Sequence, residues 1–464
     1  MDKVLFAVLK KITPSKTQEK EMESIKEKIL SAADSVIKPL NLSRTLAGSL
    51  MRNTWLPDKK EIDVFIEFPK EISRDDLEKQ GLEIGKKIVK KLKGKHIIAY
   101  AEHPYVRGFV NGFWVDIVPC YKLENAREIK SSVDRTPFHN EWLSEKFKKE
   151  YIPETRLLKR FLKGIGIYGS DAKTLGFSGY LCELLIVHYK TFKNFVKKCS
   201  KWKPGKVFID LEGYYKSMPE KFLNSPLVVI DPVDPNRNVA AAVSALNFTK
   251  LVISCENFLG KPSIRFFFPK TRKPDVKKIE NKIKERETGF IAILFKTPNI
   301  VEDTLWPQLR KTAKRIANVF KEYDFDVMGY DIWSGQKESV LVFELQSLRL
   351  PKIKKLIGPR VFSEKHSKQF ITKYKKTGKL WIEGENWTAE IYRKIQTAEE
   401  VIKVFLSNSE KGLREKGIAS YIAKSISKGF NIMKQKEIID FAKKNSDFSM
   451  FLKEYLERNL FCSS

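Results

Sequence analysis

The 464-residue sequence has no apolar run approaching about 18 residues, which argues against a membrane-spanning helix. Its five cysteines, Cys120, Cys182, Cys199, Cys255 and Cys462, are odd in number and show no CxxC spacing. That pattern argues against a zinc site or a disulfide framework and fits a reducing, cytoplasmic setting. Cys120 and Cys182 sit in apolar runs and are expected as ordinary buried thiols. No internal repeat and no low-complexity segment is evident. The opening MDKVLFAVLKKITPSK has only a short apolar stretch and no small-residue cleavage site, so it predicts a helix rather than a signal peptide. Acidic residues are the other shortage, with 57 Asp and Glu against 87 Lys and Arg, a net charge of +30. A thermophile's ion-pair-rich surface would raise both signs together. The imbalance instead favours a polyanionic partner, nucleic acid first and an anionic membrane surface second.

What is present is organised around GSLMRNTWLPDKKEIDVFIEF, Gly48 to Phe68. From Glu61 to Phe68 apolar Ile62, Val64, Ile66 and Phe68 alternate with Glu61, Asp63 and Glu67, the period of a half-buried strand. Alternation puts Glu61 and Asp63 on one face, about 7 Å apart. Two carboxylates so placed repel, and a hard divalent cation held by oxygen ligands would offset the cost. Upstream, Gly48-Ser49 precedes an expected short helix, Leu50 to Trp55, whose free N–H groups and dipole suit phosphate. Further on, His103 to Val110, Asn111-Gly112 and Phe113 to Val118 read as a hairpin with a type I′ turn. Asp116 lies inside the apolar returning strand FWVDIVP, where an unpaired carboxylate is costly to bury. Sharing a cation with Glu61 and Asp63 resolves that conflict. The plainer alternative is a loop, a helix cap at Ser49 and an exposed strand face.

The rest supplies the frame. Residues 14–40 and 74–93 carry apolar residues at helical spacing, so a sheet with helices over one face is expected. His139, in SSVDRTPFHNEW, reads by itself as a surface or capping residue. Residues 153–165 form a helix burying Leu157, Leu158, Phe161 and Leu162, which leaves Lys159, Arg160 and Lys163 on an exposed basic face. Gly164, Gly166 and Gly169 follow and let backbone approach a ligand. GFSGYLCELLIVHY, Gly176 to Tyr189, is the core helix of a second domain. In DPVDPNRNVA two prolines stiffen a loop that presents Arg237, either as a fork for a base edge or as a surface partner of Asp231 or Asp234. A strand at 289–296, a helix at 305–320 and strands at 325–333 and 339–345 suggest a ferredoxin-like layer. From about Pro359 the chain is basic and aromatic, which suits RNA backbone and stacked bases.

Taken in order, GSLMRNTWL, EIDVF, AEHPYV, VDIVPCYKL, SSVDRTPFHNEWL, RLLKRFLKGIGIYG, GFSGYLCELLI and DPVDPNRNVA resemble the archaeal, class I CCA-adding enzymes, tRNA nucleotidyltransferases of the DNA polymerase β-like superfamily. The strong part of the match covers roughly residues 40–260. The resemblance implies a multidomain α+β chain. Its parts would be a polymerase β-like nucleotidyltransferase head at 1–150, a helical nucleotide-recognition domain at 151–262, a ferredoxin-like body at 263–358 and a basic C-terminal tRNA-binding tail at 359–464. It also implies untemplated addition of C, C and A to the tRNA 3′ end from CTP and ATP, with Mg²⁺ in a two-metal site on Glu61, Asp63 and Asp116. Gly48, Ser49, Arg52, His139, Lys159 and Tyr168 would hold ATP or CTP, and Arg237 would read the base. The partners would be tRNA and the two nucleotides, with no membrane, and a homodimer is allowed. Within the same chemistry a poly(A) polymerase or oligoadenylate synthetase stays open. From another class, so does a non-catalytic RNA-binding protein on this fold, although the intact carboxylate triad speaks against decay.

Overall fold

In a computed structural model that describes residues 1–100, 102–270, 273–376 and 378–458, the strand around Glu61 and Asp63 lies near the middle of a five-stranded sheet. Cys462 lies outside the described residues. The chain divides into two units, Met1–Thr271 and Arg272–Arg458.

The first unit begins with α1 (Asp2–Ile12) and α2 (Lys16–Ile37), the latter started by a reciprocal Ser15–Gln18 capping box. The sheet follows, with β1 (Ser43–Ala47), β2 (Glu61–Phe68), β3 (Lys95–Tyr100), β4 (Pro104–Val110) and β5 (Phe113–Tyr121) in the order β1-β2-β5-β4-β3. The β4–β5 turn has φ of 49° at Asn111 and 84° at Gly112, the double positive φ that a type I′ turn needs. Helix α3 (Arg74–Lys91) connects β2 to β3 and packs on one face of the sheet beside α2. Ile62, Val64, Ile66, Val115 and Ile117 fill that interface at essentially zero exposure. The opposite face is thereby left for the alternate residues, Glu61, Asp63 and Asp116.

Helices α4 (Arg135–Lys146), α5 (Tyr151–Gly164), α6 (Gly179–Tyr189), α7 (Phe192–Cys199) and α8 (Ala245–Gly260) form the second layer of this unit. A small parallel pair, β6 (Phe208–Ile209) and β7 (Val228–Val229), lies between α7 and α8 in the chain. A cluster of phenylalanines, Phe161, Phe192, Phe258 and Phe267, makes ring contacts of 5.5 to 6.0 Å at the centre of this layer.

In the second unit α9 (Val276–Glu285) leads into β8 (Gly289–Lys296), α10 (Glu302–Glu322), β9 (Val327–Ser334) and β10 (Glu338–Leu345). A second sheet follows, made of β11 (Ile353–Arg360), β12 (Gly378–Glu383) and β13 (Asn386–Tyr392), with α11 (Glu364–Tyr374) packed on it. Then come α12 (Ala398–Leu406), α13 (Glu410–Glu415), α14 (Ser420–Ile426), β14 (Phe430–Lys434), α15 (Gln435–Lys444) and α16 (Ser446–Leu456). Strand β14 returns to pair antiparallel with β8, giving a sheet ordered β14-β8-β10-β9. A boundary at 359 falls inside β11, and the residues after it supply the other two strands of the small sheet and the edge strand of the larger one. No helix among the described residues is long and apolar enough to cross a membrane.

Candidate active site

Strands β2 and β5 run side by side and parallel, with Asp63 directly opposite Asp116 and Glu61 opposite Trp114. The three carboxylates therefore share the sheet face that α2 and α3 leave open. Gly48, at the end of β1, has φ +78° and starts a single 3₁₀ turn, Gly48–Leu50. A Cβ at Gly48 would come within 2.5 Å of Asp63 Oδ2, so only glycine lets this backbone lie against the carboxylate. The expected helix from Leu50 to Trp55 does not form. Asn53 takes a left-handed φ of 53°, and a bond from Thr54 N–H to the Ser49 carbonyl closes a tight turn instead.

The carboxylates are held in an uncomfortable state. Burial, with Asp116 and Glu61 adding repulsion, pushes the Asp63 carboxyl up to about 7. Burial also raises Asp116, to about 6, against the pull of Arg107. Asp116 Oδ1 is buried without a hydrogen-bond partner. Arg107, from β4, donates to Glu61 at 3.0 Å and brings Nε to 3.4 Å from Asp116, while Lys59 lies 2.6 Å from Glu61. Two cations thus face three carboxylates. Among the described residues no three His, Cys, Asp or Glu side chains converge closely enough to hold an ion as they stand. Arg107 occupies the space between Glu61 and Asp116. Even so, the donor set fits a hard cation: oxygen ligands only, one buried oxygen with an ion-pair contact but no hydrogen bond, and an excess of negative charge.

At the seam between the sheet and the helical layer the balance reverses. Glu183, on α6, is fully buried and accepts from Arg52 at 2.8 Å, Thr54 at 2.6 Å and Lys159 at 3.0 Å. Burial pushes this carboxyl up, but Lys159, Arg52 and Thr54 outweigh it and hold the group below its ordinary value. Asn140 takes a second Arg52 bond at 2.8 Å and donates to the Leu46 carbonyl at 3.0 Å. Lys159 is 1% exposed, which corrects the expectation of an exposed basic face. Helix α5 is covered on nearly every side, because the turn at 52–54 packs where its own pattern left room for solvent. Of the three basic residues Lys163 alone is exposed, and it reaches Asp58 together with the half-buried Arg160. Gly164 lies against the backbone of Phe266 and Phe267, so it serves packing within the protein.

A second buried acid, Asp231, organises the DPVDPNRNVA loop. It lies 2.9 Å from His139 Nε2 and 2.7 Å from the Arg237 guanidinium, and Tyr180 stacks on His139 at 4.0 Å. Burial lowers the His139 pKa, against the pull of the Asp231 carboxylate. Burial raises Asp231, yet His139 and Arg237 together hold it below the usual value. Arg237 therefore makes the pairing with Asp231 that the sequence left as one alternative, and its side chain remains 37% exposed. Near the start of α6, Tyr168 Oη would lie 3.2 Å, and Lys159 Nζ 3.7 Å, from a Cβ placed at Gly179.

The residues brought together are Gly48, Glu61, Asp63 and Asp116 on the sheet face, and Arg52 with Lys159 at the seam. His139 and Arg237 meet on Asp231. Glu183, Thr54, Tyr180 and Arg107 are not among the residues expected from the sequence, which offers Asp231 only as a surface partner of Arg237, whereas the structure buries it. Glu183 carried the same signal as Asp116, a lone carboxylate inside an apolar run.

The match to known families follows the same order along the chain. The description "Nucleotidyltransferase domain" matches residues 26–139, "tRNA nucleotidyltransferase, second domain" matches 153–268, and "CCA-adding enzyme, C-terminal domain" matches 286–435. The CCA-adding enzyme of Methanosarcina acetivorans is 40% identical over 458 residues, covering 97% of each chain. That of Methanocaldococcus jannaschii is 40% identical over 393 residues, covering 82% of this chain and 85% of its own. That of Methanothermobacter thermautotrophicus is 33% identical over 452 residues, with 97% of each chain covered.

Proposed function

Because this chain belongs to the family of archaeal CCA-adding enzymes, which are nucleotidyltransferases, we propose that it adds C, C and A in turn to the 3′ end of tRNA, taking CTP and ATP and releasing pyrophosphate. The observation that carries the reading is the parallel pairing of Asp63 with Asp116 beside the Gly48–Leu50 turn. On this reading Glu61, Asp63 and Asp116 hold Mg²⁺ in a two-metal site. The bound ions would lower the pKa of the RNA 3′-hydroxyl and offset charge on the departing pyrophosphate.

The chain's own residues bind and orient. The Gly48-Ser49 turn and the first N–H groups of α6 offer donors to a triphosphate, and Tyr168 adds a hydroxyl. Arg52 and Lys159 place two cations around one carboxylate, so their network carries a surplus positive charge that favours an anion nearby. With Lys159 buried, we assign it this charge-supplying and positioning role beneath Gly179. His139 and Asp231 fix the Arg237 loop, and the exposed part of the Arg237 fork reads the base in place of a template.

The layout of the chain follows the same reading: a head at 1–150, a helical domain at 151–262, then a body and a tail. A ferredoxin-like body is supported by the order β14-β8-β10-β9 with α10 after β8. An RNA-binding role for β11–β13 is supported by the placement of Lys352 over Tyr392 and Lys355 over Trp381. A cytoplasmic enzyme, with a homodimer allowed, completes the proposal. The test is to supply tRNA lacking CCA with CTP, with ATP and with both, and to sequence the 3′ ends. CTP alone should add two C, ATP alone nothing, and the pair CCA. Runs of A, or no use of CTP, would overturn it.

A further inference from the structure

The open face of the five-stranded sheet continues past the carboxylates. One row of paired residues runs Glu61, Trp114, Phe109, Lys95 across β2, β5, β4 and β3. The next runs Asp63, Asp116, Arg107, Ile97. Paired residues share a face, so Trp114 and Phe109 lie on the same side as Glu61, one and two strand spacings away, about 5 and 10 Å. Their contacts agree: the Phe109 and Trp114 rings are 5.0 Å apart, and the Arg107 guanidinium, which donates to Glu61, sits 5.1 Å from the centre of Trp114.

This part of the face is dressed unlike an ordinary solvent surface. Trp114 is 39% exposed, Phe109 43% and Ile97 56%. Two aromatic rings and an isoleucine outside the core lose free energy to water unless something covers them. Lys95, beside Phe109 on the edge strand, is exposed too. Exposed rings bordered by cations are the equipment that receives unpaired nucleotides without reading their sequence.

From this placement we infer that the Trp114–Phe109 shelf receives the unpaired 3′-terminal nucleotides of the RNA being extended. Their bases stack on the rings, and Arg107 and Lys95 lie beside their phosphates. The inference rests on the proposed function and adds to it a place for the acceptor strand. Continuity decides the occupant. The hydroxyl to be extended must reach Glu61, Asp63 and Asp116, and this shelf adjoins them directly on the same face. The incoming nucleotide is assigned instead to the α6 side, where the Arg52–Glu183–Lys159 network carries the surplus positive charge. A sequence-blind shelf also suits a strand whose last base changes with every addition.

The experiment uses the full-length protein and a tRNA lacking CCA that carries 2-aminopurine as its 3′-terminal base. Stacking on the shelf should quench the fluorophore when wild type binds. Trp114→Ala and Phe109→Ala, made separately, should each relieve most of that quenching. Each should also raise KM for the tRNA about tenfold, the scale of one base–aromatic stack, with KM for CTP within twofold of wild type. Trp114→Phe should keep most of the quenching. Both rings are partly exposed, and thermal melts check that each variant folds; either one alone carries the test. Unchanged quenching in both would overturn the inference. So would a rise in KM for CTP instead of tRNA, which would make the shelf the seat of the incoming base. Should wild type add no C, C and A at all, the functional reading has failed, and the quenching series then tests RNA stacking separately.

Discussion

Asp63, half-buried on the sheet face, and Glu183, fully buried, belong to the same unit, yet they stand on opposite sides of the ordinary carboxylate range. Asp63 shares its face with Glu61 and Asp116, and its carboxyl is pushed up to about 7. Glu183 is gripped by Arg52, Thr54 and Lys159, and its carboxyl is held down. Counted as networks, the sheet face sets three carboxylates against Arg107 and Lys59, while the seam sets Arg52 and Lys159 against one carboxylate. One lacks positive charge and the other has it in excess. A metal ion would meet the first shortage and a triphosphate the second, which is the division of labour proposed above. The proposal thus gives the frustrated cluster to chemistry, while the satisfied one also ties two layers together.

The largest effect should come from breaking the frustrated cluster. Asp63→Asn or Asp116→Asn should reduce single-turnover incorporation by at least about 10²-fold, the loss of several kcal/mol of transition-state stabilisation. Thermal melting should be unchanged or higher, because a desolvated like charge has gone. tRNA binding by gel shift should stay within a few-fold, since phosphate contacts supply most of that affinity. Normal incorporation in either variant would refute the assignment.

Breaking the satisfied cluster should do the reverse to stability. Glu183→Gln leaves Lys159 and Arg52 buried without their carboxylate and should cost about 3–5 kcal/mol in urea unfolding. Adding Lys159→Met should restore part of the loss by removing the unpaired cation. A destabilisation below about 1 kcal/mol would mean the seam is wetter than its burial implies.

Acid sharpens the same contrast. The Glu183 carboxyl lies below its unfolded value of about 4.3. Its contribution is therefore complete above that pH and disappears as pH falls through the lower folded value. Below about pH 4.3 wild type should lose stability more steeply than Glu183→Gln, as read from melts across pH 3 to 6. Parallel slopes would show that Glu183 does not titrate differently in the folded chain.

These outcomes separate what the sequence made legible from what it did not. Period-two alternation and the Asn-Gly turn placed β2, β4 and β5, and a lone acid in an apolar strand marked Asp116. Such signals are local, so a single chain carries them in full. The apolar residues of α5 by themselves put Lys159 on the exposed side, and nothing in that stretch announces that Thr54, 105 residues away, packs over it. Glu183 announced itself as Asp116 did, but a long apolar helix hid it among candidates for plain core. Strand β14 pairs with β8 across most of the second unit, a partnership no local pattern encodes.

Arg237→Ala should show the smallest effect. Losing a bidentate base contact would cost about 1–3 kcal/mol of discrimination, roughly five- to 150-fold, in kcat/KM for CTP and ATP against UTP and GTP. Lys at this position should recover only part, for want of the planar fork. An equal change for all four nucleotides would leave Arg237 as no more than the partner of Asp231.

Whether the sheet face binds a cation, as proposed, and the seam does not can be read from melting temperature against Mg²⁺ concentration in wild type, Asp63→Asn and Glu183→Gln. A ligand that binds the folded state raises its stability in proportion to the logarithm of occupancy. Tm should rise for wild type, stay flat for Asp63→Asn, and for Glu183→Gln start lower with the same rise. An Asp63→Asn curve that climbs as steeply as wild type would contradict the proposed cation site.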